Sequence, residues 1–146
     1  MRIAEILHHK GNEVSKVSTA DKVEVAIGRL AERRIGALVV IDRWGNLAGM
    51  FSERDVVRGL AHHGAESLQR EVHEFMTPEV TTCGPDDRVD DVMAVMTAHR
   101  VRHLPVMENG RICGLVSIGD LVKCKLQEKE QEAQVLHDLM LARSRS

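Results

Sequence analysis

Two copies of one short motif hold the residues of this chain that are best suited to chemistry. A glycine, two apolar residues, a serine and, three positions later, an aspartate occur at residues 49–55 (GMFSERD) and again at residues 114–120 (GLVSIGD). A serine three residues before a carboxylate is a helix-capping arrangement, and capping alone would explain one isolated copy. Because the motif occurs twice, each time where a predicted strand leads into a predicted helix, a second role has to be considered.

The same residue types suit the recognition of a ribose phosphate. A helix N-terminus offers free backbone N–H groups to an anion, and a glycine lets another group approach the backbone closely. A carboxylate one turn into the helix can accept hydrogen bonds from both hydroxyls of a ribose. The serine, the N–H groups and Asp55 or Asp120 therefore predict a ribose-phosphate site in each copy of the motif.

The motif belongs to a longer repeat that spans most of the chain. Residues 14–17 (VSKV) return as residues 80–83 (VTTC), and the motif at residues 49–55 returns at residues 114–120. A repeat of fixed period predicts two equivalent supersecondary units that pack against each other. Any site in one unit is then expected to have a diverged copy in the other.

Each unit is predicted to contain a short helix, a strand, a helix, two strands and a helix, which gives an α/β (α+β) fold. Apolar residues recur at helical spacing in residues 23–30 and 89–96, so one face of each helix should be buried. The apolar run at residues 37–41 indicates a strand that is covered on both faces. Its counterpart at residues 101–106 contains Pro105, which cannot donate a ladder hydrogen bond and predicts an edge strand or an irregular start.

The repeat also sets the predicted domain bounds. Residues 1–70 are assigned to the first unit, with its N-terminal helix and a linker over residues 59–70. Residues 71–126 are assigned to the second unit, and residues 127–146 to a C-terminal helical tail. Apolar residues in the tail recur too irregularly for a coiled coil, but the tail is long enough to dock on a partner subunit.

Composition argues against several classes of function. The chain has 146 residues and a net charge of −2 with both signs scattered, so no basic face predicts binding to nucleic acid or to a membrane. One Trp, two Phe and no Tyr leave few rings on which bases could stack. The three cysteines form no Cys-x-x-Cys pair, which fits a reducing cytoplasm. With no signal peptide or membrane-length apolar stretch, a cytoplasmic location is expected.

The ordered set of motifs resembles a pair of CBS domains, named after cystathionine β-synthase. The matching segments are residues 35–36 before the apolar strand, 49–55, 76–80 (MTPEV), 101–106 (VRHLPV) and 114–120. The resemblance covers about residues 1–126. It implies two β-α-β-β-α units that are related by a pseudo-twofold axis and packed sheet to sheet, with two clefts where the sheets meet.

The resemblance also implies a ligand, because such clefts bind adenosine-containing molecules such as AMP, ADP, ATP, S-adenosylmethionine or NAD. Asp55 and Asp120 match the family's ribose-binding aspartates, and Ser52 and Ser117 match its hydroxyl residues.

The clefts straddle the two units, so each aspartate is expected to work beside residues of the other unit. The resemblance places Asp120 beside Lys16 and residues 35–37, and Asp55 beside residues 81–82 and the strand from Val101. Polar side chains at Arg102 and His103 are implied to face phosphate; the first unit lacks them, so the two clefts should not bind alike. The predicted nucleotide-binding residues are Lys16, Ile35, Gly36, Ala37, Phe51, Ser52, Arg54, Asp55, Thr81, Thr82, Val101, Arg102, His103, Pro105, Val116, Ser117, Ile118, Gly119 and Asp120.

These observations predict a non-catalytic regulatory module that binds an adenine nucleotide and signals to a separate effector protein. The alternative is a ligand-independent dimeric scaffold in which the Ser-x-x-Asp motifs only cap helices. An enzyme is a distant third hypothesis, because no candidate nucleophile lies near either aspartate in the sequence. Adjacent histidines at residues 8–9 and 62–63 do not share a helix face, so no metal site is expected. The resemblance implies a homodimer formed through the helical faces, and the exposed stripes of the helices supply such faces.

Overall fold

The computed structural model describes residues 1–145 and has a mixed α/β fold with two small sheets. The first half of the chain contains α1 (Ile3–Lys10), β1 (Lys16–Ser18), α2 (Val23–Arg33), β2 (Ala37–Ile41), β3 (Leu47–Ser52) and α3 (Glu53–His63). The second half contains the 3-10 segments Gly64–Gln69 and Val72–Glu74, then α4 (Val89–His99), β4 (His103–Glu108), β5 (Arg111–Ser117) and α5 (Ile118–Arg145).

The helices α2 and α4 confirm the predicted apolar faces. Their buried residues are Val23, Ala26 and Leu30 in α2, and Val89, Val92 and Met96 in α4. Both helices end on an arginine in the left-handed region, Arg34 at φ 53° and Arg100 at φ 55°, a conformation that a side chain disfavours. The repeat is therefore visible in the backbone as well as in the sequence.

In the first half, β2 is the central strand of a three-stranded sheet. It pairs parallel with β1 and antiparallel with β3, and its residues from Ala37 to Val40 are buried. This confirms the prediction of a strand that is covered on both faces.

The second half lacks the strand that was predicted at residues 80–83. Only Cys83 forms a parallel bridge to β4, so this sheet consists of β4 and β5. The repeat gives the reason: in the first half the N–H of Val39 donates to the Ser15 carbonyl at 3.1 Å, and Pro105 stands at the position of Val39. Proline has no N–H, so Thr81 cannot be held in the same way.

The opening segments of the two units are exchanged between the two hydrophobic cores. Ile3 of α1 lies in the core that contains α4, β4 and β5, whereas Val72 lies in the core that contains α2, β2 and β3. The backbone bridges that join these segments to the opposite halves are Arg2 to Arg88 and Glu71 to Lys22. The predicted units are continuous in the sequence, but each hydrophobic core contains one segment from the other predicted unit.

The linker predicted at residues 59–70 is helical. Helix α3 continues to His63 and leads into Gly64–Gln69, where Ser67 is buried and its hydroxyl donates to the Gly64 carbonyl at 2.8 Å. The ring of Phe75 packs on Gly59 and on His63, which holds this segment against the first core.

The predicted C-terminal helix is present as part of α5, and its residues 131–144 are exposed. No helix within the described residues is long and apolar enough to cross a membrane.

Candidate functional site

Both motif aspartates lie in the first turn of a helix that follows a strand, as predicted. Asp55 Oδ2 accepts a hydrogen bond from the backbone N–H of Ser52 at 2.8 Å, and Asp120 Oδ2 accepts the same bond from Ser117 at 2.9 Å. Each aspartate therefore uses one oxygen to cap its helix. Capping, the simpler interpretation, holds in both copies and leaves the second oxygen of each carboxylate to be accounted for.

The carboxylate of Asp55 is enclosed by its own helix. Only 2% of its surface is exposed, and its Oδ1 accepts a hydrogen bond from Arg58 Nη2 at 2.7 Å. The hydroxyl of Ser52 donates to the other oxygen at 3.2 Å. A ribose could reach this carboxylate only if Arg58 moved aside.

The carboxylate of Asp120 is more open and has a partner from another element. Its side chain is 26% exposed, and its Oδ2 accepts a hydrogen bond from Lys10 Nζ at 2.6 Å. Among the described residues, Oδ1 of Asp120 has no hydrogen-bond donor. Partial burial opposes ionisation of this carboxyl, but the hydrogen bonds from Lys10 and Ser117 outweigh it, so the pKa of Asp120 lies below its usual value.

Lys10 was not among the predicted site residues. It is the last residue of α1, where a cation is favoured by the helix dipole, and its Nζ also donates to the Leu115 carbonyl at 2.8 Å. The exchange of opening segments brings α1 to the second unit, and with it Lys10 to Asp120. The repeat in the sequence gave no sign of this contact, because it assigns α1 to the first unit.

His103 lies where the two units meet. Its Cε1 is 3.5 Å from the position that a Cβ on Gly36 would occupy. Burial lowers the pKa of His103, the positive charge of Lys10 lowers it further, and the carboxylates of Asp120 and Glu53 oppose the shift. His103 thus lies close to Gly36 and in the field of the Lys10–Asp120 pair, whereas the sequence interpretation grouped it with Asp55. Equivalent segments of a two-fold repeat meet near its axis, so the repeat in the sequence could have predicted that His103 lies close to Gly36.

The two motif glycines make room for the protein's own chain. A Cβ on Gly49 would lie 2.7 Å from the Thr77 carbonyl oxygen, and one on Gly114 would lie 2.6 Å from a methyl group of Leu7. The sequence predicts that these glycines make space for a ligand beside the backbone. The structure fills that space with the exchanged opening segments.

Exposure separates the other predicted site residues. Phe51 and Val116 are fully buried in the two cores, so neither presents a surface to a ligand in this conformation. The exposed residues are Lys16, Arg54, Thr82, Arg102 and Gly119; the half-buried ones are Ile35, Gly36, Ser52, Thr81, Val101, Ser117 and Ile118; Ala37 and Pro105 are buried.

Two cavities lie away from both aspartates. One, of about 440 Å³, is lined by residues of α1 and the β4–β5 hairpin, including His8 and Cys113. A second, of about 180 Å³, is lined by Thr82 and Cys83 among others. Both motif carboxylates are instead bonded to a basic side chain.

The described residues offer little for nucleophilic or metal chemistry. Burial raises the pKa of the Cys83 thiol to about 12, which keeps it protonated at neutral pH and unreactive. No cluster of three or more metal-ligating side chains occurs in the part of the chain that the structure describes.

Comparison with known proteins places this geometry in context. The profile of the CBS domain matches residues 5–62 and 72–126. The chain is 33% identical over 143 residues to the mitochondrial CBS domain-containing protein CBSX3 of Arabidopsis thaliana, covering 92% of this chain and 69% of that protein.

Solved structures share the fold. The crystal structure of a CBS-domain containing protein from Agrobacterium tumefaciens has a TM-score of 0.82 at 42% identity, covering 85% of this chain and 92% of the other. A CBS domain protein from Pyrobaculum aerophilum, solved in complex with AMP, has a TM-score of 0.73 at 24% identity, covering 82% and 89%. At that identity the second likeness concerns the fold alone.

Proposed function

This chain belongs to the CBS domain family, and from that premise we propose that it is a non-catalytic regulatory module that binds an adenosine-containing nucleotide beside Asp120. The observation that carries the proposal is the carboxylate of Asp120. It is partly exposed, ionised at neutral pH, and has one oxygen without a protein donor among the described residues. Vicinal ribose hydroxyls are donors that such an oxygen can accept.

Basic groups beside this carboxylate suit the phosphate of a nucleotide. Lys10 bonds to Asp120, and the charges of Lys10 and Arg102 both act on His103. A 5′-phosphate lies one sugar ring away from the ribose hydroxyls, within reach of a flexible lysine side chain. The AMP complex of the Pyrobaculum aerophilum protein supports AMP as the first ligand to test.

The cleft at Asp55 is proposed to bind more weakly. Both oxygens of this carboxylate already have donors, and one of those donors is the charged guanidinium of Arg58. Moving Arg58 away before a ribose can bind would leave the buried charge of Asp55 without its partner, whereas the partly exposed Asp120 keeps contact with solvent when Lys10 moves. The Asp120 site should therefore bind one ligand per chain at concentrations at which the Asp55 site is still empty.

Thermal unfolding of the full chain with AMP, ADP, ATP, NAD or S-adenosylmethionine tests the proposal. A ligand at about 100 times its dissociation constant should add about 2.7 kcal/mol of apparent stability. If millimolar concentrations of all five ligands leave the unfolding temperature unchanged, the proposal is wrong.

The ligand-independent scaffold remains the second candidate, because the structure shows both aspartates acting as helix caps. Absence of any thermal shift, together with stable self-association, would favour the scaffold. We further propose that the module acts on a separate effector protein in the cytoplasm. The three free cysteines support that location.

A further inference from the structure

Lys10 is held in place by two acceptors of the second unit. Its Nζ donates to Asp120 Oδ2 at 2.6 Å and to the Leu115 carbonyl at 2.8 Å. Gly11 follows with φ 95° and donates its N–H to the Leu7 carbonyl, so α1 ends directly after the lysine. The ammonium group therefore sits on the carboxylate that the proposed function assigns to ribose.

A bound nucleoside would compete with Lys10 for the carboxylate oxygens of Asp120. Oδ2 already accepts from the Ser117 N–H and from Lys10, and only Oδ1 is without a donor. A ribose that uses both oxygens must displace the lysine. The displaced ammonium loses a charge-assisted hydrogen bond, and it regains a comparable one only if another anion is within reach.

A ligand's own phosphate can be that anion, whereas an unphosphorylated nucleoside brings none. Of the other acceptors, the Asp55 carboxylate is buried against Arg58 and the Leu115 carbonyl is neutral. Glu53, whose charge also acts on His103, is the exposed carboxylate with which a ligand phosphate would compete for the lysine. The ammonium group of Lys10 would thus weaken the binding of nucleosides relative to that of nucleotides that carry a phosphate.

Resting on the proposed function, we propose that Lys10 is the residue that makes the Asp120 site select phosphorylated nucleotides over nucleosides, by exchanging its bond to Asp120 for a bond to the ligand phosphate. The selectivity arises because the lysine must leave the carboxylate for either ligand, but only a phosphate compensates for that loss.

Calorimetric titration of AMP and adenosine into the wild type, Lys10→Met and Lys10→Arg tests this inference. In Lys10→Met we expect adenosine to bind about threefold to tenfold more tightly, because it no longer breaks a charge-assisted hydrogen bond. AMP should change little, because the bond that it breaks and the bond that it forms are both absent, so the preference for AMP is lost. Lys10→Arg should keep the preference for AMP, because a guanidinium also binds both carboxylate and phosphate. Lys129→Met, at an exposed lysine on α5, is the matched control and should bind both ligands as the wild type does.

A gain in affinity for adenosine alone, which removes the preference for AMP, separates this role from others. Equal tightening of both ligands in Lys10→Met would mean that the lysine only obstructs the site, and unchanged affinities would mean that it has no role; either result overturns the inference. An unfolding temperature measured for each variant identifies loss of folding, in which case Lys10→Arg alone decides by its ratio of affinities. If the wild type binds neither AMP nor adenosine, the proposed function itself fails.

Discussion

At the scale of single residues, Asp55 and Asp120 have the same backbone role but different surroundings. Each accepts the N–H of the serine three positions earlier, but Asp55 is buried with Arg58 from its own helix and Asp120 is partly exposed with Lys10 from another. Substitution of each aspartate can therefore separate an effect on ligand binding from an effect on folding stability.

We expect Asp120→Ala to weaken AMP binding by about tenfold or more and to lower stability by about 1 kcal/mol, a typical loss for a cap. Asp55→Ala should weaken AMP binding less. It should lower stability more, by about 1–3 kcal/mol, because Asp55 is buried and accepts from three donors, the Ser52 N–H, the Ser52 hydroxyl and Arg58. Calorimetry and urea unfolding measure the two effects, with Asp138→Ala on exposed α5 as the control. Equal losses of affinity in both variants would show that the clefts bind alike.

His103 predicts a dependence of stability on pH. Its pKa in the folded protein is lowered from 6.5, first by burial and then by Lys10, so the unfolded chain binds the proton more readily. Stability should be fully present above pH 6.5 and should fall as the pH drops through 6.5 towards the folded pKa. The lowered pKa of Asp120 acts in the same direction, but only below its usual value of 3.8.

Urea unfolding at about pH 7.5 and about pH 5.5 checks this dependence. His103→Gln should reduce the difference in unfolding free energy between the two pH values, whereas His137→Gln, at an exposed position on α5, should leave it unchanged. An equally large difference in His103→Gln would assign the effect to another group.

At the scale of elements, the motif glycines join the strands to the exchanged segments. Met50 and Thr77 exchange backbone hydrogen bonds at 3.0 and 2.8 Å, and Gly49 lets the Thr77 carbonyl approach β3. Gly114 does the same for α1, but there the nearest group is a flexible leucine side chain. The two glycines should therefore tolerate a side chain to different degrees.

We expect Gly49→Ala to destabilise the fold by about 1–3 kcal/mol, because the new methyl group would overlap a backbone oxygen that cannot move alone. Gly114→Ala should cost less, since Leu7 can change its rotamer. Gly28→Ala, where a Cβ meets open space in α2, is the control and should raise stability by up to about 1 kcal/mol. Thermal or urea unfolding gives all three values; a Gly49→Ala variant as stable as Gly28→Ala would contradict the close-packing argument.

The elements also show where sequence reasoning succeeded. The apolar spacing in α2 and α4, the buried run of β2 and the Ser-x-x-Asp caps depend on local residues, and the sequence predicted them correctly. The missing strand at residues 80–83 depends on a proline in a neighbouring strand, and recognising it requires the pairing register. The helical segment before Arg70 depends on Phe75, which reaches back to pack on α3.

The site was harder to predict than the fold, because it depends on contacts between units. Lys10 reaches Asp120 only because α1 packs on the second core, and nothing in the local sequence distinguishes Lys10 from other helix-terminal lysines. The repeat could have indicated that His103 and Gly36 meet near the pseudo-twofold axis. The residues that touch a nucleotide remain a prediction from the family resemblance.

At the scale of the whole molecule, the outer faces of the helices remain available for self-association. Val57 and Leu60 on α3 and Val122 and Leu126 on α5 are exposed. A two-fold interface would use the same apolar faces on both subunits. The exposed part of α5 adds a further apolar row at Val135, Leu136, Leu139 and Met140.

We expect the full chain to be a homodimer at micromolar concentration and a chain that ends at Gln127 to dimerise more weakly, because it lacks the outer apolar row of α5. Light scattering on both chains measures the masses, and the double substitution Leu136→Ser and Met140→Ser tests the apolar row without shortening the helix. A monomeric full chain would rule out the dimer. An unchanged dimer after truncation would leave α3 and the first turns of α5 as the interface.

The exchange of α1 has a consequence for synthesis on the ribosome. A nascent chain emerges from its N-terminus, so α1 appears first, while the core that receives Ile3 also needs Val89 and Leu121. The other core is complete once residues 72–76 have emerged and can close earlier. During the interval the apolar face of α1 has no partner from its own core, and it stays exposed until α4 and α5 have been made.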